Sequence, residues 1–326
     1  MSLSEATLLW FGLETKTRHN YRVAKRSYEF YCACHGLTAW PASRRNLEKW
    51  VALRAFGSRL PLQAQISFKT IQSYLSALRS VHIDNDWPVE VFENKRLRRI
   101  IKGAARMFPH LKKQRFPITR DILLKITKRT PPNLRELNLN TAFIIAWAGF
   151  LRCGEFTYSS QDREDALFVQ THLTRSDSTF EDRCQYAILR LKFSKTDYDH
   201  TGVEIILAAT GDELCPVAAL RNLFQKDPQH QLSPLFNLDG AAFARKAVVD
   251  YLCQRLRENN MSDEGFSGHS FRKGAAQHAA DNGMLAERIQ KLGRWSSDAF
   301  KLYFKDSVKS LYNLSFRFQK GRAAHV

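Results

Sequence analysis

Two charged residues, Arg152 and Glu155, follow a run of apolar residues and lie three positions apart. At this spacing the carboxylate can hold the guanidinium while part of the guanidinium faces a phosphate. Taken alone, the spacing favours a structural ion pair, because pairs of this kind are common. We expect Arg152 to end the buried helix that the apolar residues 142–148 predict.

A second pair, His269 and Arg272, stands at the start of a predicted helix, with Ser267 as its expected N-terminal cap. Residues three apart lie on one face of a helix. The free N–H groups and the dipole at a helix N-terminus attract a phosphate, so the pair indicates anion binding. A structural histidine is the competing explanation.

Three further residues have side chains suited to proton transfer, hydrogen bonding or nucleophilic attack. Lys195 lies in a polar turn, where a lysine could protonate a leaving oxygen, although most turn lysines are merely solvated. Trp295 and Tyr303 follow a glycine, and core packing alone would explain both aromatic residues. Tyr312 is a rival nucleophile, but its neighbours favour packing.

The charge of the chain indicates a polyanionic partner. Its 326 residues include 50 lysines and arginines against 32 aspartates and glutamates, which gives a net charge of +18. Residues 1–115 carry 21 basic and 8 acidic side chains, so the excess is concentrated there. Nucleic acid fits such an excess, although ribosomal and membrane-surface proteins share it.

Neither a membrane nor a metal ion is expected as a partner. The sequence has no run of about 18 apolar residues and no secretion signal, so we expect a soluble intracellular protein. Its six cysteines are scattered without a CxxC pair, which is typical of free thiols in a reducing compartment. Cys32, Cys34 and His35 cluster, but no second pair stands at zinc-ligand spacing.

Helical periodicity dominates the first third of the chain. Apolar residues recur at helical spacing in four segments, at about 17–35, 43–55, 71–81 and 95–107. Ser43 and Ser67 stand where N-caps are expected, and a break follows at 84–88. We predict an all-helical N-terminal domain over 1–108 and a basic linker over 109–117.

Residues 118–326 are predicted to form an α+β domain, so the fold class is mainly α with a small β-sheet. Helices are expected at about 119–129, 134–150, 216–225, 241–260, 268–281, 284–292 and 296–304. Alternating apolar residues predict a strand over 187–193, paired with a second over 203–207 through a turn ending at Gly202. An apolar stripe over 308–318 predicts a C-terminal helix.

The chain closely resembles the tyrosine recombinase and integrase family over about 117–318, and its N-terminal helices resemble that family's core-binding domain. The residues that match the catalytic signature, in chain order, are Arg152, Lys195, His269, Arg272, Trp295 and Tyr303. The segment GRWSSDAFKLYF, residues 293–304, is most similar to eukaryotic mobile-element recombinases of the Crypton and DIRS type. Many members have a second histidine where Trp295 stands, whereas some have tryptophan, whose indole N–H also donates a hydrogen bond.

The resemblance implies an enzyme that cuts and rejoins DNA without a cofactor or metal ion. Tyr303 would attack phosphorus and form a covalent 3′-phosphotyrosine, which a 5′-hydroxyl of another strand would then reverse. The other implied roles are phosphate clamps for Arg152 and Arg272, proton donor for Lys195, proton transfer or phosphate binding for His269, and fixation of the scissile group for Trp295.

Double-stranded DNA is the implied partner, bound by a dimer or tetramer that assembles through the C-terminal helix 308–318. Phosphate contacts would dominate the affinity. The candidate DNA-binding residues are Lys69, Arg79, Arg96, Arg98, Arg99, Lys102, Arg106, Lys112, Lys113 and Arg115. A eukaryotic source would place the protein in the nucleus, and otherwise it would be cytoplasmic with its DNA.

Two alternative functions are open at this point. A type IB topoisomerase shares this active-site chemistry but relaxes DNA as a monomer, and the apolar stripe after Tyr303 favours the recombinase. A domesticated mobile-element protein that only binds DNA is the other alternative. The intact signature disfavours it.

Overall fold

The computed structural model describes residues 2–60, 62–109, 114–192 and 202–297. The chain divides by its internal contacts into two compact units, Met1–Lys112 and Lys113–Val326. This division falls inside the segment 109–117, for which the sequence analysis predicts a linker.

The described part of the first unit is helical. Its helices are α1 (Leu3–Phe11), α2 (Thr15–Cys34), α3 (Arg44–Phe56), α4 (Phe68–Asp84) and α5 (Lys95–Met107). Two of the predicted caps are confirmed, because the hydroxyls of Ser43 and Ser67 accept hydrogen bonds from the first turns of α3 and α4. Helices α2 to α5 match the four predicted segments, whereas α1 is an addition to them.

The apolar faces of α2 to α4 form the core of this unit. Tyr28, Trp50 and Ile71 are each fully buried there. Helix α5 adds Leu97 and Ala104 to this core, whereas its basic residues are exposed. The exposed basic residues of α5 are Lys95, Arg96, Arg98, Arg99, Lys102 and Arg106. The basic side chains of α5 are therefore accessible to solvent.

The second unit combines helices with one small sheet. Its described helices are α6 (Arg120–Thr127), α7 (Leu134–Ala148), α8 (Cys153–Phe156), α9 (Ser160–Glu164), α10 (Phe168–Thr171), α11 (Pro216–Lys226), α12 (Arg245–Glu258), α13 (Ser270–Asp281) and α14 (Ala286–Gly293). Helix α7 is the centre of the unit, since its residues 137–146 are all buried and it contacts α6, α8, α11 and α13. None of the described helices of either unit is long and apolar enough to cross a membrane.

The sheet is antiparallel in the order β1 (Ser178–Phe180), β2 (Tyr186–Leu191) and β3 (Val203–Ala208). Ile188 pairs with Thr179 on one side and with Ile206 on the other. The predicted pair of strands is therefore confirmed, and β1 is an unpredicted third strand. Leu189 and Leu207 are buried in the core of the unit, as the alternation indicates.

Candidate functional site

A sharp turn after α7 begins the site. The chain leaves the helix at Gly149, and Phe150 adopts φ 51°, a left-handed conformation that is rare for a large side chain. Arg152 then forms the N-terminal cap of α8. The expectation that Arg152 ends the buried helix is wrong, because the turn at Gly149 ends that helix and Arg152 starts the next one.

Arg152 and Glu155 form the predicted ion pair. Nη1 of Arg152 lies 2.7 Å from Oε1 of Glu155, and the backbone N–H of Arg152 donates to Oε2 at 2.8 Å. The carboxylate is nearly buried, with 6% of its side chain exposed, whereas 21% of the Arg152 side chain is exposed. The guanidinium is therefore held from inside the protein with part of its surface facing outwards.

Glu155 has a second guanidinium partner that the sequence analysis missed. Nη2 of Arg294, which follows α14, lies 3.0 Å from Oε2 of Glu155. Burial lowers the pKa of Arg294, and the charge of Glu155 acts in the opposite direction. The site thus contains two arginines joined by one carboxylate.

His269 lies beside this network, at the N-terminal cap of α13. The prediction that Ser267 caps this helix is wrong. The helix starts at Ser270, whose hydroxyl accepts a hydrogen bond from the backbone N–H of Ser267 at 2.9 Å. The Ser267 hydroxyl accepts only a long bond, 3.4 Å, from the N–H of His269.

The positive charges of four arginines act on His269. Partial burial lowers the pKa of its imidazole below the usual 6.5, and the positive charges of Arg245, Arg115, Arg272 and Arg152 lower it further. His269 is therefore mainly neutral at pH 7. Arg245, the first residue of α12, was not among the candidate residues, and its position in the sequence carries no motif that would have marked it.

Arg272 is fully buried. Its guanidinium donates to the carbonyl oxygen of Phe150 at 2.5 Å and to that of Gly293, and it lies 4.2 Å above the ring of Trp295. The indole face therefore covers Arg272, a cation–π contact that stabilises the buried charge. Phosphate contacts of Arg272 and Trp295 stay predictions.

The approach of α8 to α13 depends on Gly268. A Cβ atom at this position would lie 2.6 Å from Cβ and 2.7 Å from Sγ of Cys153. This contact brings Arg152, the residue before Cys153, next to His269, the residue after Gly268. Burial raises the pKa of Cys153 to about 11, so its thiol is protonated at pH 7 and is a poor nucleophile.

The predicted residues of the first unit and the linker are mostly exposed. Lys69 is exposed, as is Arg115, whereas Arg79 is half-buried and lies 3.8 Å from Glu93. Predictions for Lys112, Lys113, Lys195, Tyr303, Tyr312 and residues 308–318, together with most of the predicted helix 296–304, lie outside the described residues.

A metal site is not found among the residues that the structure describes. Cys32 is buried and Cys34 is exposed, and the ring of His35 makes a 2.8 Å hydrogen bond to the carbonyl oxygen of Tyr31. These three neighbours in sequence therefore do not converge on a common point in α2. The described cluster of cations instead suits an anion.

Comparison with solved structures identifies the fold. A variant of the Tn1549 transposon integrase in complex with transposon right-end DNA is similar with a TM-score of 0.53 and 13% identity, over 86% of each chain. Another variant, in complex with a circular intermediate DNA, has a TM-score of 0.52 and 12% identity, over 90% of this chain and 99% of that chain. The chain has the tyrosine recombinase fold.

This fold is thus established by structure and not by sequence similarity. No protein-family model and no curated protein matches the sequence. XerH site-specific recombinase bound to palindromic difH substrate shares 13% identity over 85% of this chain and 77% of that chain. Its TM-score is 0.49.

Proposed function

We propose that this protein is a site-specific DNA recombinase that cuts and rejoins strands through a 3′-phosphotyrosine at Tyr303. The observation that carries the proposal is the cluster of Arg152, His269 and Arg272 in a unit of the tyrosine recombinase fold. Cations around a neutral imidazole suit a phosphodiester, which needs charge stabilisation and proton transfer when it is cut.

The proposed reaction has two steps, strand cleavage and strand joining. The phenol oxygen of Tyr303 bonds to phosphorus while the bond to the 5′-oxygen breaks, and Lys195 gives that oxygen a proton. A 5′-hydroxyl then attacks the phosphotyrosine and gives its proton to Lys195, while the bond from phosphorus to the tyrosine oxygen breaks and the phenol takes its proton back from His269. Arg152 is suited to hold a nonbridging oxygen, because Glu155 anchors it on the inner side and its outer side is exposed.

His269 has a second role in this proposal. Because its imidazole is mainly neutral at pH 7, it can accept a proton from Tyr303 or share one with the phosphate. Trp295 would stabilise the scissile group indirectly, since its ring covers the buried Arg272. DNA affinity would come mainly from phosphate neutralisation by basic residues such as those exposed on α5.

Integration and excision of a mobile element are the proposed biological reaction, carried out by a dimer or tetramer on DNA. The resemblance of residues 293–304 to Crypton and DIRS recombinases supports the mobile-element role, and for a eukaryotic source it implies the nucleus. The apolar stripe over 308–318 supports assembly through a C-terminal helix. Deletion of residues 306–326 should leave binding to one duplex intact and abolish pairing of two duplexes, as measured by light scattering.

A sulfur-substituted substrate tests the chemical proposal. Lys195→Ala should cut an ordinary nicked duplex slowly and recover on a duplex with a 5′-bridging sulfur, because a thiolate leaves without a proton. Arg152→Ala is the matched control and should stay slow on both substrates, since sulfur does not replace a phosphate clamp. Equal behaviour of the two variants on both substrates would contradict the assigned roles.

A further inference from the structure

We infer that Arg294 is a positioning residue that acts through Glu155 to fix the guanidinium of Arg152. The expected effect of Arg294 on DNA cleavage rests on the proposed function, whereas its contacts with Glu155 and the backbone do not. Arg294 belongs to no predicted site, and its partner Glu155 is 139 positions away in the chain.

Both Nη atoms of Arg294 donate their hydrogen bonds to the protein itself. Nη1 donates to the carbonyl oxygens of Gly149 at 3.0 Å and Leu292 at 3.3 Å, and Nη2 donates to Phe150 at 3.3 Å and Glu155 at 3.0 Å. Nε is buried, and only 11% of the side chain is exposed. These contacts use the four N–H groups of the two Nη atoms, so Arg294 has no Nη donor left for a substrate.

Glu155 divides its carboxylate between the two arginines. Oε1 faces Nη1 of Arg152, while Oε2 accepts from Arg294 and from the backbone N–H of Arg152. The three side chains together carry one net positive charge. Without Arg294, the carboxylate would neutralise Arg152 alone and could turn both oxygens towards it, because bidentate pairing is the favoured geometry.

The backbone conformation of Arg294 also depends on the contacts of its side chain. Arg294 follows α14 with φ 55° and ψ 48°, a left-handed conformation in which glycine is the usual residue. A left-handed non-glycine residue costs free energy unless its surroundings fix it. Here the bonds from the guanidinium to the turn at Gly149 and Phe150 do so, and they connect the end of α14 with the start of α8.

The test is a double-mutant cycle on single-turnover adduct formation with saturating nicked DNA. R294M keeps much of the length of the side chain but removes the charged guanidinium and its two Nη donors. It should slow adduct formation at least about tenfold and change DNA affinity less than about threefold. R288M is the matched control on the exposed face of α14 and should behave as wild type.

The decisive protein is the double variant R294M/E155Q. If Arg294 acts through Glu155, its rate should equal that of the slower single variant within about threefold, because coupled residues are not additive. If the rate decrease of the double variant equals the product of the two single decreases, Arg294 acts directly on the substrate and the inference is overturned. A wild-type rate for R294M would overturn it as well. R294K keeps the charge and is used in the same cycle if R294M does not fold.

A second readout separates this inference from the proposed function. A wild-type protein without adduct formation would defeat the recombinase proposal alone. The rise in melting temperature caused by excess inorganic phosphate then replaces the rate in the same cycle. We expect this rise to shrink equally in R294M, E155Q and the double variant, and an unchanged rise in R294M would refute the role of Arg294.

Discussion

Gly268→Ala should weaken both the fold and the proposed activity, because the new methyl group would enter the contact between α8 and α13. The Cβ atom would lie 2.6 Å from Cβ of Cys153, which is 1% exposed and cannot move into solvent. Contacts this short require the backbone of one segment to shift. The segments in question carry Arg152 and His269.

The size of the effect follows from this overlap. Overpacking a filled core typically costs about 1–3 kcal/mol, and for a unit of this size each kcal/mol lowers the melting temperature by about 2–4 °C. A displacement of about 1 Å between two groups of a reactive site can lower a rate by about a hundredfold. We expect Gly268→Ala to lose about 1–3 kcal/mol of stability and to form adduct about 10- to 100-fold more slowly.

Urea unfolding and single-turnover adduct formation measure the two effects. Gly154→Ala is the matched control, because it adds the same methyl group one residue after Cys153 with no atom within 4 Å. It should keep wild-type stability and rate. Gly268→Ala behaving like Gly154→Ala in both assays would refute the argument from close approach.

Three other perturbations have defined outcomes. The pKa of His269 is lowered in the folded protein, so the unfolded chain binds a proton at this residue more readily. The free energy of unfolding should therefore fall as the pH drops below about 6.5, and urea unfolding of H269Q should show a smaller fall. R272M removes the charged donor of the Gly293 carbonyl oxygen and leaves that of Phe150 with only the longer bond from Arg294, so it should lose about 2–5 kcal/mol, measured by chemical unfolding, whereas a loss under about 1 kcal/mol would contradict the buried contacts. DNA affinity, measured by fluorescence anisotropy, should fall steeply with salt and stay constant on addition of EDTA, and a requirement for magnesium would count against the proposed chemistry.

Periodicity was sufficient to predict most of the fold. Helices α2 to α5 and the strands β2 and β3 lie where the patterns indicate, because each has one face in a core. Helix α1 has no such face: none of its residues is buried, and Leu8 and Trp10 are exposed. Strand β1 has three residues, too few for alternation to be recognised.

The sequence predicted the local pairs of the site better than its distant contacts. Arg152 and Glu155 lie three residues apart and meet as the spacing indicates. Arg294 meets Glu155 only because the turns after α7 and α14 come together in the fold, and no spacing rule reports such a contact. Arg245 is a similar case, since only the tertiary structure places it near His269.

The cap of α13 illustrates a third limit. Ser267 has the residue type of an N-cap, yet the helix begins three residues later at Ser270, whose hydroxyl accepts a hydrogen bond from the backbone N–H of Ser267. The residue at the N-cap is His269, whose side chain makes no capping hydrogen bond to the helix. Helix boundaries are therefore less predictable than the helices themselves.

The central claim is that Tyr303 is the nucleophile, and peptide mapping of the covalent adduct tests it most directly. Wild-type protein is incubated with a library of nicked duplexes of randomised sequence, and the adduct is digested with protease and nuclease for mass spectrometry. The nucleotide remnant should be attached to Tyr303 through a 3′-phosphate, and Tyr303→Phe should form no adduct while binding DNA as wild type does. A remnant on Tyr312, or an undiminished adduct in Tyr303→Phe, would contradict the account.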